Sequence, residues 1–213
     1  MPVYRIGGKN VLFIHVPKTA GMAIGAHLGN CGPAVFEDRI VLRGATFGPR
    51  HQPAAVLKTV YFPEMIDHAF MVVRHPVTRL VSEYRYQRRS GNIQLSRLRM
   101  FGFDIWLRHA LFRLKSDPNY RGGHFRPQVD YECFDCKVFH HEDGLDKVSR
   151  WISALTGTTI PDSPPKTNVS RHRPVSISQT SFKLIADYYA ADFERFGYSV
   201  EIPNLPDVST VQS

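Results

Sequence analysis

The sequence predicts an α/β fold, a single domain in which helices flank a central parallel sheet, and three observations predict it. Residues 11–16 (VLFIHV) and 69–74 (AFMVVR) are short apolar runs of the kind that fills a buried strand. Each run stops abruptly at a proline-containing turn and passes into a helical pattern. The 213 residues, 43% of them hydrophobic, suffice for one sizeable core, which argues for one domain over residues 1–203 and a flexible polar tail over 204–213.

The first run ends in Pro17, Lys18, Thr19, Ala20 and Gly21, and a helix is predicted over residues 22–28. The second ends at His75 and Pro76, with proline at the first helical position before TRLVSEYRYQRR. Ligands of parallel sheets sit beyond the carboxyl ends of the strands, so both turns are expected to open onto one crevice. Residues 103–114 read as a helix and 136–140 as a strand. Asp143 is the expected N-cap of a helix carrying Leu145, Val148, Ile152 and Leu155 at three- and four-residue spacing, with Gly157 at its end. A final helix sets Phe182, Ile185, Tyr189, Phe193 and Phe196 on one face and stops at Gly197. Residues 161–165, rich in proline, read as a connection.

A formal net charge of +8 favours an anionic partner: nucleic acid, a phosphate-rich cofactor, an acidic glycan or a membrane surface. No apolar run approaches membrane-spanning length, and the first residues lack the pattern of a secretory signal, so a cytoplasmic location is expected. The sequon at 168–170 carries no weight without such a signal. Cys133 and Cys136 form a C-x-x-C without a second pair or a histidine at zinc-finger spacing, and are expected to be reduced thiols. His140, His141 and Glu142 resemble a metal cluster, but neighbours on a strand point to opposite faces.

Chemistry begins at the first turn. A tight loop between strand and helix aims backbone N–H groups at whatever lies above the helix, and an anion is the natural occupant. Lys18 adds a mobile positive charge, Thr19 a hydroxyl, and Gly21 lets the backbone approach a ligand closely. The helix end supplies only about half an elementary charge, so Lys18 dominates the electrostatics. The G-x-x-x-x-G-K-[ST] loop of ATP- and GTP-binding proteins is absent. By itself such a turn is more often ordinary surface; its place after a buried strand reverses that preference.

F-I-H-V-P-K-T-A-G, residues 13–21, resembles the 5′-phosphosulfate loop of sulfotransferases, especially the branch acting on carbohydrates and its bacterial relatives. V-V-R-H-P-V-T-R-L-V-S-E-Y-R, residues 72–85, is similar to that family's 3′-phosphate motif, in which an arginine and a serine eight positions later grip the 3′-phosphate; here they are Arg74 and Ser82. The likeness continues more loosely through H-F-R-P-Q at 124–128, V-F-H-H-E-D-G-L at 138–145, T-N-V-S-R at 167–171 and A-D-F-E-R-F-G-Y at 191–198. The resemblance implies a P-loop-like sulfotransferase fold and 3′-phosphoadenosine 5′-phosphosulfate (PAPS) as donor. It implies donor contacts from Pro17, Lys18, Thr19, Ala20, Gly21, Met22, Arg74, Ser82, Ser170 and Arg171. The family's loop usually carries a hydroxyl residue after Gly21; with Met22 the backbone contacts survive and one side-chain hydrogen bond is lost.

Sulfuryl transfer requires positioning, charge stabilisation on the departing phosphate oxygen, and removal of a proton from the acceptor. A sulfuryl group carries less charge than a phosphoryl group, so no metal is expected. Lys18 is expected to stabilise the leaving oxygen. The resemblance implies a catalytic histidine between the two motifs, which makes His51, in Arg50-His-Gln-Pro-Ala-Ala-Val-Leu-Lys58, the expected base. His15, His75 and His124 are expected to be structural or donor-contacting. The acceptor is expected to be a hydroxyl on a carbohydrate or another molecule, and the stretch 74–99, with seven arginines against Glu83, suits an acidic one. Tyr86, Phe103 and Trp106 could stack on sugar rings, though core packing is the safer expectation. Two rivals are a P-loop-type nucleotide kinase, which needs magnesium and ATP, and a non-catalytic binder of anionic glycan or nucleic acid, for which no nucleic-acid fold signature speaks.

Overall fold

The computed structural model describes residues 1–36, 40–42, 45–47, 50–89, 102–162, 174–203 and 208–211. In chain order these form β1 (Val3–Ile6), β2 (Lys9–Ile14), α1 (Gly21–Gly29), β3 (Ala34–Val35), β4 (Ile40–Leu42), β5 (Ala45–Phe47), α2 (Ala54–Val60), β6 (His68–Val73) and α3 (Pro76–Arg89). There follow α4 (Phe103–Leu114), β7 (Lys137–His140), α5 (Asp146–Thr156), β8 (Val175–Ser178), α6 (Gln179–Tyr188), α7 (Ala190–Phe196) and β9 (Val208–Val211). The fold is α/β, with a mixed five-stranded sheet in the order β3-β1-β2-β6-β7.

The chain divides into two compact units, Met1–Val73 with Asp130–Val169, and Arg74–Val129 with Ser170–Ser213. The first unit holds the five-stranded sheet. Its β2, β6 and β7 run parallel as expected, while β1 and β3 add antiparallel strands at one edge. Gly7 and Gly8, at φ 55° and 78°, make the two-residue reversal between β1 and β2, a conformation that glycine adopts without cost. Every residue from Val11 to Ile14 and from Ala69 to Val73 is buried, which is why these strands read as continuous apolar runs rather than alternating ones. Ile24 and Leu28 of α1 and Val148 and Ile152 of α5 pack in the same core as Phe13, Phe70 and Phe139.

The first strand leaves the sheet two residues before the sequence pattern ends. The His15 N–H donates to Met1 Sδ at 2.9 Å and the Val16 N–H to the carbonyl of Ile14 at 3.2 Å, so neither continues a ladder. Asp143 does not cap α5. It lies in a 3-10 turn over His141–Asp143 and pairs with Lys147 at 2.8 Å, and Leu145 is the cap.

The second unit contains α3, α4, α6, α7 and a parallel pair, β8 with β9. Residues 208–211, expected in a polar tail, thus form a strand. The expected final helix is two helices that meet at Tyr189, yet its apolar face persists: Ile185, Tyr189 and Phe193 share a core with Leu80, Tyr84, Trp106, Leu107 and Phe125. Buried among them are Arg79, Glu83, Gln87, Gln128 and Asp192, an unusual polar load for one core.

Candidate functional site

In the first unit, the turn after β2 is strained. Lys18 and Ala20 take left-handed conformations, at φ 69° and 68°, each costing about 1–2 kcal/mol for a residue with a Cβ. Thr19 between them is completely buried, and its hydroxyl donates to the carbonyl of Val16 at 2.9 Å. Its side chain thereby holds the turn closed rather than facing outward. Ala20 is the N-cap of α1 and supplies no side-chain oxygen to the first-turn N–H groups, of which that of Ala23 turns to the Ala20 carbonyl at 3.0 Å. Pro17 is buried, Lys18 half-buried and Met22 exposed.

Gly21 is where this turn meets a histidine. A Cβ there would fall 1.8 Å from His15 Nε2, so only glycine allows the imidazole to lie against the turn. The His15 ring stacks on Phe13 at 5.3 Å between centroids and meets the His51 ring edge-on at 4.4 Å. His51, itself at φ 65°, has Nδ1 3.0 Å from the carbonyl oxygen of His15. A carbonyl only accepts, so Nδ1 carries the proton and the lone pair of the neutral ring resides on Nε2. Arg50 Nη1 approaches Met22 Sδ at 3.5 Å, a second link between this segment and α1. The structure therefore brings together Lys18, Gly21, Met22, His15 and His51 within one unit.

In the second unit, Arg74 precedes α3. Its Nε donates to Thr78 Oγ1 at 3.1 Å, and that hydroxyl donates to the carbonyl of His75 at 3.0 Å. Ser82 follows Thr78 by four residues on α3 and so shares its face, half-buried. The side-chain amide of Gln128 pairs with the backbone of Arg74 in both directions. His75 is an anchor: it is buried, its Nδ1 accepts the N–H of Val77 at 3.3 Å, and it packs edge-on against Phe193 and Tyr198.

His124 Nδ1 donates to Glu83 Oε2 at 2.8 Å; Glu83 Oε1 accepts from Gln87 Nε2, and Gln87 Oε1 from Trp106 Nε1 at 3.0 Å. Sequence reasoning did not single out Thr78 and Gln128 as partners of Arg74, or Glu83 as the partner of His124, although H-F-R-P-Q was the available signal for Gln128. Phe103 and Trp106 are core residues, whereas Tyr86 is exposed beside His124, 6.3 Å between ring centroids. Ser170 and Arg171, like Arg97 and Arg99 of the basic stretch, lie outside the described residues.

Cys31, Cys133 and Cys136 are free, and burial pushes the Cys133 thiol up to about 12, the reverse of an activated nucleophile. Among the described residues no group of three or more His, Cys, Asp or Glu side chains could hold a metal ion, and no helix is long and apolar enough to cross a membrane. A family model described as the sulfotransferase family matches residues 4–199. No curated protein and no solved structure matches the chain.

Proposed function

The chain belongs to the sulfotransferase family, and from that premise we propose that it moves a sulfuryl group from PAPS to a hydroxyl on a carbohydrate, with His51 as general base. The observation that carries this reading is the hydrogen bond from His51 Nδ1 to the His15 carbonyl, in a histidine packed beside the turn that bears Lys18. Nε2 of His51 takes the acceptor's proton as the acceptor oxygen forms its bond to sulfur. The bond from sulfur to the bridging phosphate oxygen breaks in line, and 3′-phosphoadenosine 5′-phosphate (PAP) departs with the electron pair. Lys18 and the N–H groups of the uncapped helix start stabilise the charge that grows on that oxygen.

Arg74 and Ser82 hold the 3′-phosphate that distinguishes PAPS from ATP, with Ser170 and Arg171 as further donor contacts. Pro17, Thr19, Ala20, Gly21 and Met22 contribute through the shape and backbone of the turn. No metal takes part in this scheme, because the sulfuryl group spreads less charge than a phosphoryl group. The free thiols fit a cytoplasmic setting, which belongs to the same proposal.

The test is incorporation of labelled sulfate from PAPS into a panel of carbohydrate and other hydroxyl acceptors, with and without a chelator. Transfer that survives chelation and is lost in His51→Ala supports the scheme. Phosphate transfer from ATP with magnesium, and no sulfate transfer, would replace it with a kinase.

A further inference from the structure

We propose that Gln128 is a positioning residue for 3′-phosphate selectivity, acting through the backbone of Arg74; the inference rests on the reading of Arg74 as a 3′-phosphate ligand. Gln128 is wholly buried. Its Oε1 accepts the Arg74 N–H at 2.9 Å, and its Nε2 donates to the Arg74 carbonyl at 2.8 Å. A primary amide here does what a neighbouring strand does inside a sheet, satisfying donor and acceptor of one residue at once. β6 ends at Val73, and the backbone of the next residue, Arg74, pairs with this amide.

With both peptide groups fixed, the direction of the Cα–Cβ bond of Arg74 is fixed. The bond from Arg74 Nε to Thr78 Oγ1 then restrains the far end of the side chain. An arginine held at its root and near its head loses little freedom on binding a phosphate, which is how positioning becomes affinity.

The clamp is itself braced. Val129 N–H donates to Asp192 Oδ1 at 3.0 Å, from an aspartate that is wholly buried. Arg79, also buried, donates to the carbonyls of His124 and Arg126 at 3.3 and 2.9 Å, and the Tyr189 hydroxyl to that of Phe125 at 2.7 Å. Arg79 of α3, Tyr189 between α6 and α7, and Asp192 of α7 thus grip residues 124–129, and Gln128 among them grips Arg74. A glutamine needed only to fill the core could pair with any peptide. This one holds the residue read as the 3′-phosphate ligand, and it also meets the buried carboxyl of Asp192, which ties it to the brace.

The experiment compares PAP with adenosine 5′-monophosphate by calorimetry in wild type, Gln128→Met and Gln128→Asn, well below each protein's unfolding midpoint. The expected result is a wild-type preference for PAP that falls about tenfold in Gln128→Met, with affinity for the monophosphate unchanged. A purely structural role would weaken both nucleotides together or neither, and an unchanged ratio overturns the proposal. Should Gln128→Met not fold, Gln128→Asn carries the comparison, since it keeps the uncharged amide and draws it back from the Arg74 backbone by one methylene. Equal affinity of the wild type for both nucleotides would instead overturn the donor reading, and the role of the clamp with it.

Discussion

Nδ1 of His51 lies 3.0 Å from the carbonyl oxygen of His15, and the His15 ring occupies the space that a side chain at position 21 would need. The phosphate-type turn, its glycine and the proposed base are therefore one packing unit. A change at any of them is felt at the others.

His51→Ala should lower kcat by about 10²–10⁴-fold, far more than its modest effect on the unfolding midpoint, because a partly exposed side chain contributes little to stability. Steady-state kinetics beside a thermal melt checks both. Full activity in this variant would transfer the base role elsewhere.

Gly21→Ala should destabilise the protein by about 1–3 kcal/mol, since its Cβ would collide with a ring packed between Phe13 and His51. Combining it with His15→Ala removes the obstacle. In a denaturation cycle the two changes should therefore be strongly non-additive, the double variant being more stable than the sum of the singles.

Arg74→Lys keeps the charge and loses the planar fork, and with it the bond from Nε to Thr78. PAP affinity should fall by about tenfold or more while adenosine 5′-monophosphate is unaffected. Titration calorimetry at two ionic strengths separates this local loss from a general loss of attraction.

Burial holds the folded-state pKa of Cys133, ordinarily 9.0, at about 12, and that of Tyr61, ordinarily 10.0, also at about 12. The folded protein thus keeps protons that the unfolded chain releases. Stability from these groups is complete below pH 9 and is lost as pH rises towards 12. Chemical denaturation across that range should show the decline, and Cys133→Ala should make it shallower.

Much of this was legible in the sequence, and the reason is local. Residues 11–14 and 69–73 are apolar at every position because both faces of their strands are buried, and the turns after them are punctuated by proline. The His15–His51 and Gln128–Arg74 pairs left no such trace. Their partners are 36 and 54 residues apart, and a histidine or glutamine committed to a distant carbonyl looks, in sequence, like any other. Gly7 and Gly8 did carry a turn signal, but β1 before them, four residues long, is too short for its pattern to register. Asp143 failed as a cap because the chain first makes a separate 3-10 turn over His141–Asp143, and α5 begins three residues later, at Asp146.

The most direct test of the donor assignment is a thermal shift titration with PAP set against ATP and magnesium, which needs no knowledge of the acceptor. PAP should raise the unfolding midpoint progressively with concentration, and ATP with magnesium should not. Stabilisation by ATP and magnesium without any by PAP would contradict the account.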